Sequence, residues 1–103
     1  MMRIYSQQIP LLKGALKYAQ TGLIPGGAYR NKEFIGDFVT GLESITPELQ
    51  DLLVDPQTSG GLLISLPQDQ AIKFLKILSD QQDLPAAIIG EILPGPEKIQ
   101  ITH

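Results

Sequence analysis

Prolines and glycines divide this chain of 103 residues into short segments, and their spacing limits the possible folds more than any other feature. The main breaks fall at Pro25-Gly26-Gly27, Pro56, Pro67 and Pro94-Gly95-Pro96. No apolar run between them approaches the roughly 20 residues that a membrane-spanning helix needs. The N-terminus also lacks the long apolar core of a signal peptide. We therefore expect one cytoplasmic domain built from short elements.

The helical segments are identified by apolar residues at a spacing of three and four. Helices are predicted over residues 10–20, 47–54 and 68–81. The second begins with Thr46-Pro47-Glu48, a hydroxyl cap followed by a proline at the first helical position and an acid in the first turn. Residues 22–31 are predicted to form a loop, and residues 32–45 an irregular segment or a short helix.

Three short apolar runs are typical of strands. They cover residues 62–66, 86–93 and 98–102, and the last two are predicted to form a hairpin through Pro94-Gly95-Pro96. The resulting order of elements predicts an α/β (α+β) sandwich with a mixed or antiparallel sheet. One domain spanning 1–103 is the simplest organisation.

Composition excludes several classes of function. The chain has no cysteine, which rules out a thiol nucleophile or a thiolate metal site within it, and its one histidine, His103, receives no role. A net charge of −3 argues against nucleic acid as a partner. Neither a P-loop nor a dinucleotide-binding glycine pattern occurs. Five acids lie scattered without a metal-binding spacing, so no metal site is predicted: Asp37, Glu43, Glu48, Asp51 and Asp55.

The segment Asp55-Pro56-Gln57-Thr58-Ser59-Gly60-Gly61 allows two interpretations. Its hydroxyls and glycine amides could reach a phosphate. However, it contains no cation and leads into a predicted strand, so no helix dipole would favour an anion there. Local chemistry alone favours a structural turn, in which Asp55 or Thr58 accepts backbone hydrogen bonds.

A second segment is better suited to an anion. Arg30 and Asn31 follow Gly26 and Gly27 and place a cation and an amide beside flexible backbone. The alternative is an exposed arginine with no function. No set of acid, base and nucleophile can be assembled from these residues, so no catalytic residue is predicted.

Three stretches together resemble the C-terminal domain of the selenophosphate synthetases, also called selenide, water dikinases. They are GLIPGGAYRN at 22–31, LLVDPQTSGGLLISLP at 52–67 and AAIIGEILPG at 86–95. The resemblance implies a fold like that of the aminoimidazole ribonucleotide synthetase C-terminal domain. It also implies a reaction that converts ATP, selenide and water into selenophosphate, AMP and phosphate with magnesium.

The same resemblance implies that the catalytic groups lie elsewhere. In that family the nucleophile, its lysine, the ATP loop and most magnesium aspartates belong to an N-terminal domain, and a DVTGFGLLGH-like segment would precede residue 1. We therefore expect an N-terminally truncated C-terminal piece that is inactive and binds no cofactor alone. Its expected partners are its own N-terminal domain and, in a homodimer, a second copy.

The resemblance places both glycine-containing segments near a cleft between domains. The candidate cleft residues are Gly26, Gly27, Arg30, Asn31, Asp55, Gln57, Thr58, Ser59, Gly60 and Gly61. The alternative function is a non-catalytic regulatory or scaffolding module of the same fold, because no obvious catalytic group is present. A purine-pathway sister activity fits the two segments less well.

Overall fold

Four helices and four strands make up the regular structure of the residues described, 1–81 and 85–103, in a computed structural model. The strands are β1 (Met2–Tyr5), β2 (Val39–Thr40), β3 (Gly90–Ile92) and β4 (Ile99–Thr102). The helices are α1 (Ala15–Gln20), α2 (Gly26–Ile35), α3 (Pro47–Leu53) and α4 (Gln68–Gln81). Single 3-10 turns occupy Ser6–Gln8, Gly36–Phe38 and Leu42–Ser44.

The four strands form one mixed sheet in the order β2-β4-β1-β3. β4 pairs in parallel with both β2 and β1, whereas β1 and β3 are antiparallel. The predicted α+β class with a mixed sheet is therefore confirmed. The predicted hairpin is wrong, because β1 lies between β3 and β4. Met1 and Met2 join the two strands by backbone hydrogen bonds, from Leu93 N to Met1 O at 2.9 Å and from Met2 N to Lys98 O at 2.9 Å.

The two faces of the sheet differ in chemistry. Ile4 and Ile101 are register partners on one face, and Ile101 is buried. On the other face Arg3 donates to Gln100 Oε1 at 3.2 Å and to Glu91 Oε1 at 3.1 Å. Tyr5 donates to the same Glu91 oxygen at 2.6 Å. Period-two alternation therefore makes one face apolar and the other a polar network across three strands.

Helices α3 and α4 confirm their predictions, and α1 is shorter than predicted. Pro47 occupies the first turn of α3, and Val54 is its C-cap residue. α1 begins only at Ala15, because Gly14 before it has a φ of 87°, in the left-handed region that a right-handed helix cannot include. The residues 10–14 are consequently not helical.

The predicted loop over residues 22–31 is wrong in its second half, because Gly26, Gly27, Arg30 and Asn31 all lie on α2. Pro25 is the N-cap residue, with φ −62° and ψ 140°. The two glycines occupy the first turn, where their N–H groups would lack intrahelical partners in any case. A Pro-Gly-Gly sequence therefore precedes and opens a helix here instead of interrupting one.

The predicted strand over residues 62–66 is also wrong. These residues form no regular secondary structure, and Leu62 and Leu63 are 91% and 64% exposed. A strand requires hydrogen-bond partners as well as apolar residues, and the sheet order provides it with none among the described residues. The apolar pattern consequently marks an exposed apolar surface.

The core is small for a chain of this length. Its buried apolar residues among those described are Ala19, Ala28, Ile45, Val54 and Ile101. The chain exposes 7876 Å², whereas the size scaling of compact monomers gives about 5,700 Å² for 11.2 kDa. Much of the excess is apolar, including Ile72 and Ile77 on α4.

Candidate functional site

The two glycine-containing segments meet at the N-terminal half of α2. A Cβ atom added to Gly27 would lie 2.8 Å from Cγ and 3.2 Å from Cβ of Pro56. The Pro56 ring therefore lies directly against the backbone of the helix. Only a residue without a side chain permits this approach, which explains a glycine within a helical turn.

One turn further along α2, Asn31 binds the same neighbouring segment. Its Nδ2 donates to the backbone carbonyl of Val54 at 2.8 Å. Val54 is buried and is the C-cap residue of α3, where a carbonyl has no intrahelical donor. Asn31 thus satisfies a carbonyl at the end of α3, 23 residues away in sequence.

An ion pair adds a third connection between α2 and α3. Lys32 Nζ lies 3.8 Å from Asp51 Oδ1, and both side chains are partly exposed. Exposed pairs of this kind contribute from zero to about 1 kcal/mol. The contact therefore adds little to stability, but it places a cation beside the Asp51 carboxylate.

Beyond Pro56 the segment is exposed. Gln57 Nε2 lies 3.5 Å from Asp55 Oδ2, and a Cβ on Gly60 would lie 2.9 Å from Gln57 Oε1. Within residues 1–81 and 85–103 the hydroxyls of Thr58 and Ser59 donate no hydrogen bond. These polar groups face solvent at the outer end of the segment, so they are free to contact a ligand.

Arg30 is the cation nearest to this junction. Its Nη2 lies 3.8 Å from the position of a Cβ on Gly27, and the residue is exposed. No carboxylate of the described residues lies within ion-pair distance of it. The guanidinium is therefore available for an external anion beside the Pro56 ring.

A groove of about 330 Å³ lies between this junction and the apolar face of the sheet. Asn31, Val54 and Asp55 contribute to one side of it. The rest of its lining is apolar and consists of Ile4, Phe34, Ile35, Val39, Leu42, Leu53, Ile99 and Ile101. With so few polar groups in its lining, the groove is a packing space more than a site for a charged ligand.

The structure thus brings part of the candidate set together. Gly27, Arg30 and Asn31 lie beside Val54, Asp55 and Pro56, as expected for two segments lining one site. Among the candidate residues, Gly26, Thr58, Ser59 and Gly61 lie outside the contact between α2 and Pro56. Gly26 and Gly61 have open space around them. Sequence reasoning missed Val54 and Pro56 as contact partners. Gly27 and Asn31 are four residues apart and so lie on one face of a helix, and this spacing could have indicated that they contact a common segment.

The described residues offer neither a metal-binding cluster nor a membrane-spanning helix. Among residues 1–81 and 85–103, no three acidic or histidine side chains converge on a point where they could hold a metal ion. The helices of this part of the chain are also too short or too polar to cross a bilayer. The candidate residues offer backbone amides, two hydroxyls, the side-chain amides of Asn31 and Gln57, the Asp55 carboxylate and one cation.

Comparisons with known proteins identify the relatives of the chain. No family model matches it. It is 45% identical over 97 residues to a selenide, water dikinase of Clostridium botulinum (strain Eklund 17B / Type B) and 39% identical to one of Clostridioides difficile (strain 630), covering 94% of this chain in both cases. It is 38% identical over 102 residues to a selenide, water dikinase of Aliarcobacter butzleri, covering 99% of this chain.

The chain spans only 28% to 30% of the length of these relatives. The similarity nevertheless extends over nearly the whole chain and includes both segments of the site. It confirms the resemblance drawn from the three sequence stretches. The chain belongs to the selenide, water dikinase family and corresponds to a C-terminal part of its members.

Proposed function

We propose that the chain forms one wall of the active cleft of an enzyme that makes selenophosphate from selenide, ATP and water. The observation that supports this is the contact of α2 with the 55–61 segment through Gly27, Asn31, Val54 and Pro56. Two of the three stretches that carry the family resemblance are far apart in sequence, yet they form one surface. Selenophosphate would serve as the selenium donor for selenocysteine and selenium-modified tRNA.

The chemistry of this wall suits the phosphates of ATP. Arg30 offers a guanidinium that can bind two phosphate oxygens at once. Thr58 and Ser59 offer hydroxyls, and Gly26, Gly60 and Gly61 offer backbone amides that a ligand can approach closely. In this proposal Arg30 and the 57–61 tip contact substrate, and Gly27 and Asn31 shape the wall.

Magnesium does not fit the residues of this chain alone. Mg²⁺ prefers an octahedron of oxygen ligands, usually with carboxylates. Asp51 is paired with Lys32, and Asp55 lies beside a single amide, so the described residues offer no cluster of free carboxylates. We propose that magnesium is held by other parts of the enzyme.

The wall needs the rest of the enzyme in order to act. We propose that residues 1–103 are part of one C-terminal domain, that the N-terminal domain closes the cleft, and that the enzyme is a cytoplasmic homodimer. The exposed apolar surface is compatible with such a covering domain. The chain alone is expected to show no calorimetric heat with magnesium and ATP, because one wall supplies too few contacts.

The test uses the full natural protein in cells that lack selenophosphate synthesis. Growth on a selenium-dependent pathway should return with the unmodified protein. Arg30→Ala should lower the rate of selenophosphate formation by about tenfold or more, since it removes a charged phosphate contact. Lys13→Ala, which removes an exposed cation outside the site, is the control.

Two results would contradict the proposal. Failure of the full protein to restore growth would favour the non-catalytic module. Equal rates for the Arg30 and Lys13 variants would remove Arg30 from the cleft while leaving the enzyme assignment intact.

A further inference from the structure

We infer that Gly27 and Asn31 are positioning residues that together fix the 55–61 segment against α2, an inference that rests on the proposed function for its catalytic consequence. The two residues are four apart on one helix and therefore lie on the same face. One contacts Pro56 and the other binds Val54. Asp55, between those two, is held at both ends.

The two contacts act in different ways. Asn31 holds the carbonyl of a buried residue by a hydrogen bond of 2.8 Å, which fixes the point where the segment leaves α3. Gly27 provides space, because any side chain there would displace the Pro56 ring. The Asn31 contact fixes the point where the segment begins, and the Gly27 contact fixes the direction in which it continues.

This arrangement separates Asn31 from its neighbour Arg30. The Nδ2 group of Asn31 is already committed to Val54, so Asn31 acts on the segment instead of donating to a phosphate. Arg30 has no ion-pair partner among the described residues and remains available. Of these two adjacent residues, Arg30 is available to the ligand, whereas Asn31 holds the wall of the cleft.

The first experiment uses this chain alone and needs no enzyme activity. Amide hydrogen exchange is measured by NMR in Gly27→Ala and in Gly26→Ala at Val54 and Asp55, whose N–H groups donate to Asp51 O and Leu52 O. These are neighbouring first-turn glycines, but a Cβ at position 26 meets open space, whereas one at 27 meets Pro56. Exchange at these two amides should accelerate about tenfold for Gly27→Ala and less than twofold for Gly26→Ala. Equal exchange in the two variants would overturn the inference.

A second variant covers the case in which Gly27→Ala fails to fold. Asn31→Asp keeps the shape of the side chain but replaces the donor by an acceptor that repels the Val54 carbonyl. The control is Glu33→Ala, an exposed position on the same helix. Faster exchange at Val54 and Asp55 with Asn31→Asp alone supports the inference, and unchanged exchange refutes it.

The catalytic consequence is tested in the full natural protein. A variant that only lowers stability reduces the amount of active enzyme and leaves the KM for ATP unchanged. A displaced wall raises KM, and we expect about a fivefold increase for Asn31→Asp with less than a twofold change for Glu33→Ala. An unchanged KM would show that the contact is merely structural.

Failure of the proposed function and failure of the positioning inference give different results. If the full protein makes no selenophosphate, the proposed function fails, while the exchange measurement still decides whether Gly27 and Asn31 hold the segment. If the protein is active and the exchange is unaltered, only the positioning inference fails.

Discussion

Gly41 lies directly against the backbone carbonyl of Ile101, so close that a Cβ atom on it would overlap the carbonyl oxygen. Its φ is +83°, in the region that residues with side chains rarely adopt. This contact lies where β2 ends beside β4, one of the two inner strands of the sheet. The edge strand β2 can therefore pair in this way only because position 41 carries no side chain.

Replacing Gly41 by alanine should destabilise the chain strongly. The positive φ alone costs about 1–2 kcal/mol, and the clash with Ile101 adds to it. Gly22→Ala is the matched control, because Gly22 has a φ of +80° but nothing within 4 Å of the added atom. Urea unfolding should show a loss of about 1 kcal/mol for Gly22→Ala and at least twice that for Gly41→Ala. Equal losses would show that the strand can shift without cost.

Two serines should respond to alanine in opposite directions. Ser6 is buried, and its Oγ has no hydrogen-bond partner in the described part of the chain. Removing this unpaired hydroxyl should leave stability unchanged or raise it by about 1 kcal/mol. Ser44 Oγ donates to Gly41 O at 2.7 Å, so Ser44→Ala should lower stability by about 0.5–1 kcal/mol. Thermal unfolding measures both, and a clear loss for Ser6→Ala would contradict the first expectation.

Tyr5 should titrate at unusually high pH. Its hydrogen bond to Glu91 raises the pKa of the phenol above its ordinary value near 10, and the negative carboxylate adds to this effect. A raised pKa in the folded state means that the stabilisation is complete below pH 10 and is lost as pH rises through the folded pKa. Tyrosinate absorbance should therefore show a late component that disappears in Tyr5→Phe. An unchanged titration curve in that variant would mean that the Glu91 contact does not persist in solution.

Exposed apolar residues of α4 and of the segment before it should make the isolated chain self-associate. Ile72 and Ile77 are 56% and 52% exposed, and the neighbouring residues 62–66 add further apolar surface. Light scattering should show concentration-dependent association that Ile72→Glu weakens. Gln70→Glu introduces the same charge at an exposed polar position of the helix and should have little effect. A strictly monomeric chain at high concentration would contradict this expectation.

Features set by local sequence were predicted well. Pro47 and the periodic apolar residues of α4 depend on neighbours within a turn or two, and both helices form where expected. Features that depend on residues distant in sequence were not predicted. The same local rule that assigned Gly26 and Gly27 to a loop failed, because those glycines occupy a first turn supported by the contact with Pro56. β1 was not predicted at all, since its partners lie some 90 residues further along the chain.

The candidate site shows the same division. The resemblance pointed to two segments that lie in contact in the structure, and the residue types suggested an anion as their ligand. Neither could show that Asn31 would bind Val54, because that contact joins positions 23 residues apart through the folding of α3. Local chemistry also suggested that the 55–61 segment lacks a helix end nearby, whereas the first turn of α2 lies beside Pro56.

The strand order has a consequence for synthesis on the ribosome. β1 pairs with β4, whose residues emerge almost 100 positions later, and β4 is also the only partner of β2 among the described residues. A growing chain therefore carries two strands with unsatisfied edges until β4 has left the exit tunnel. Sheet assembly must wait for β4, and such a high contact order predicts slow folding with a long interval in which chaperones can act. Loss of residues 99–103 would remove β4 and leave β2 unpaired among the described strands.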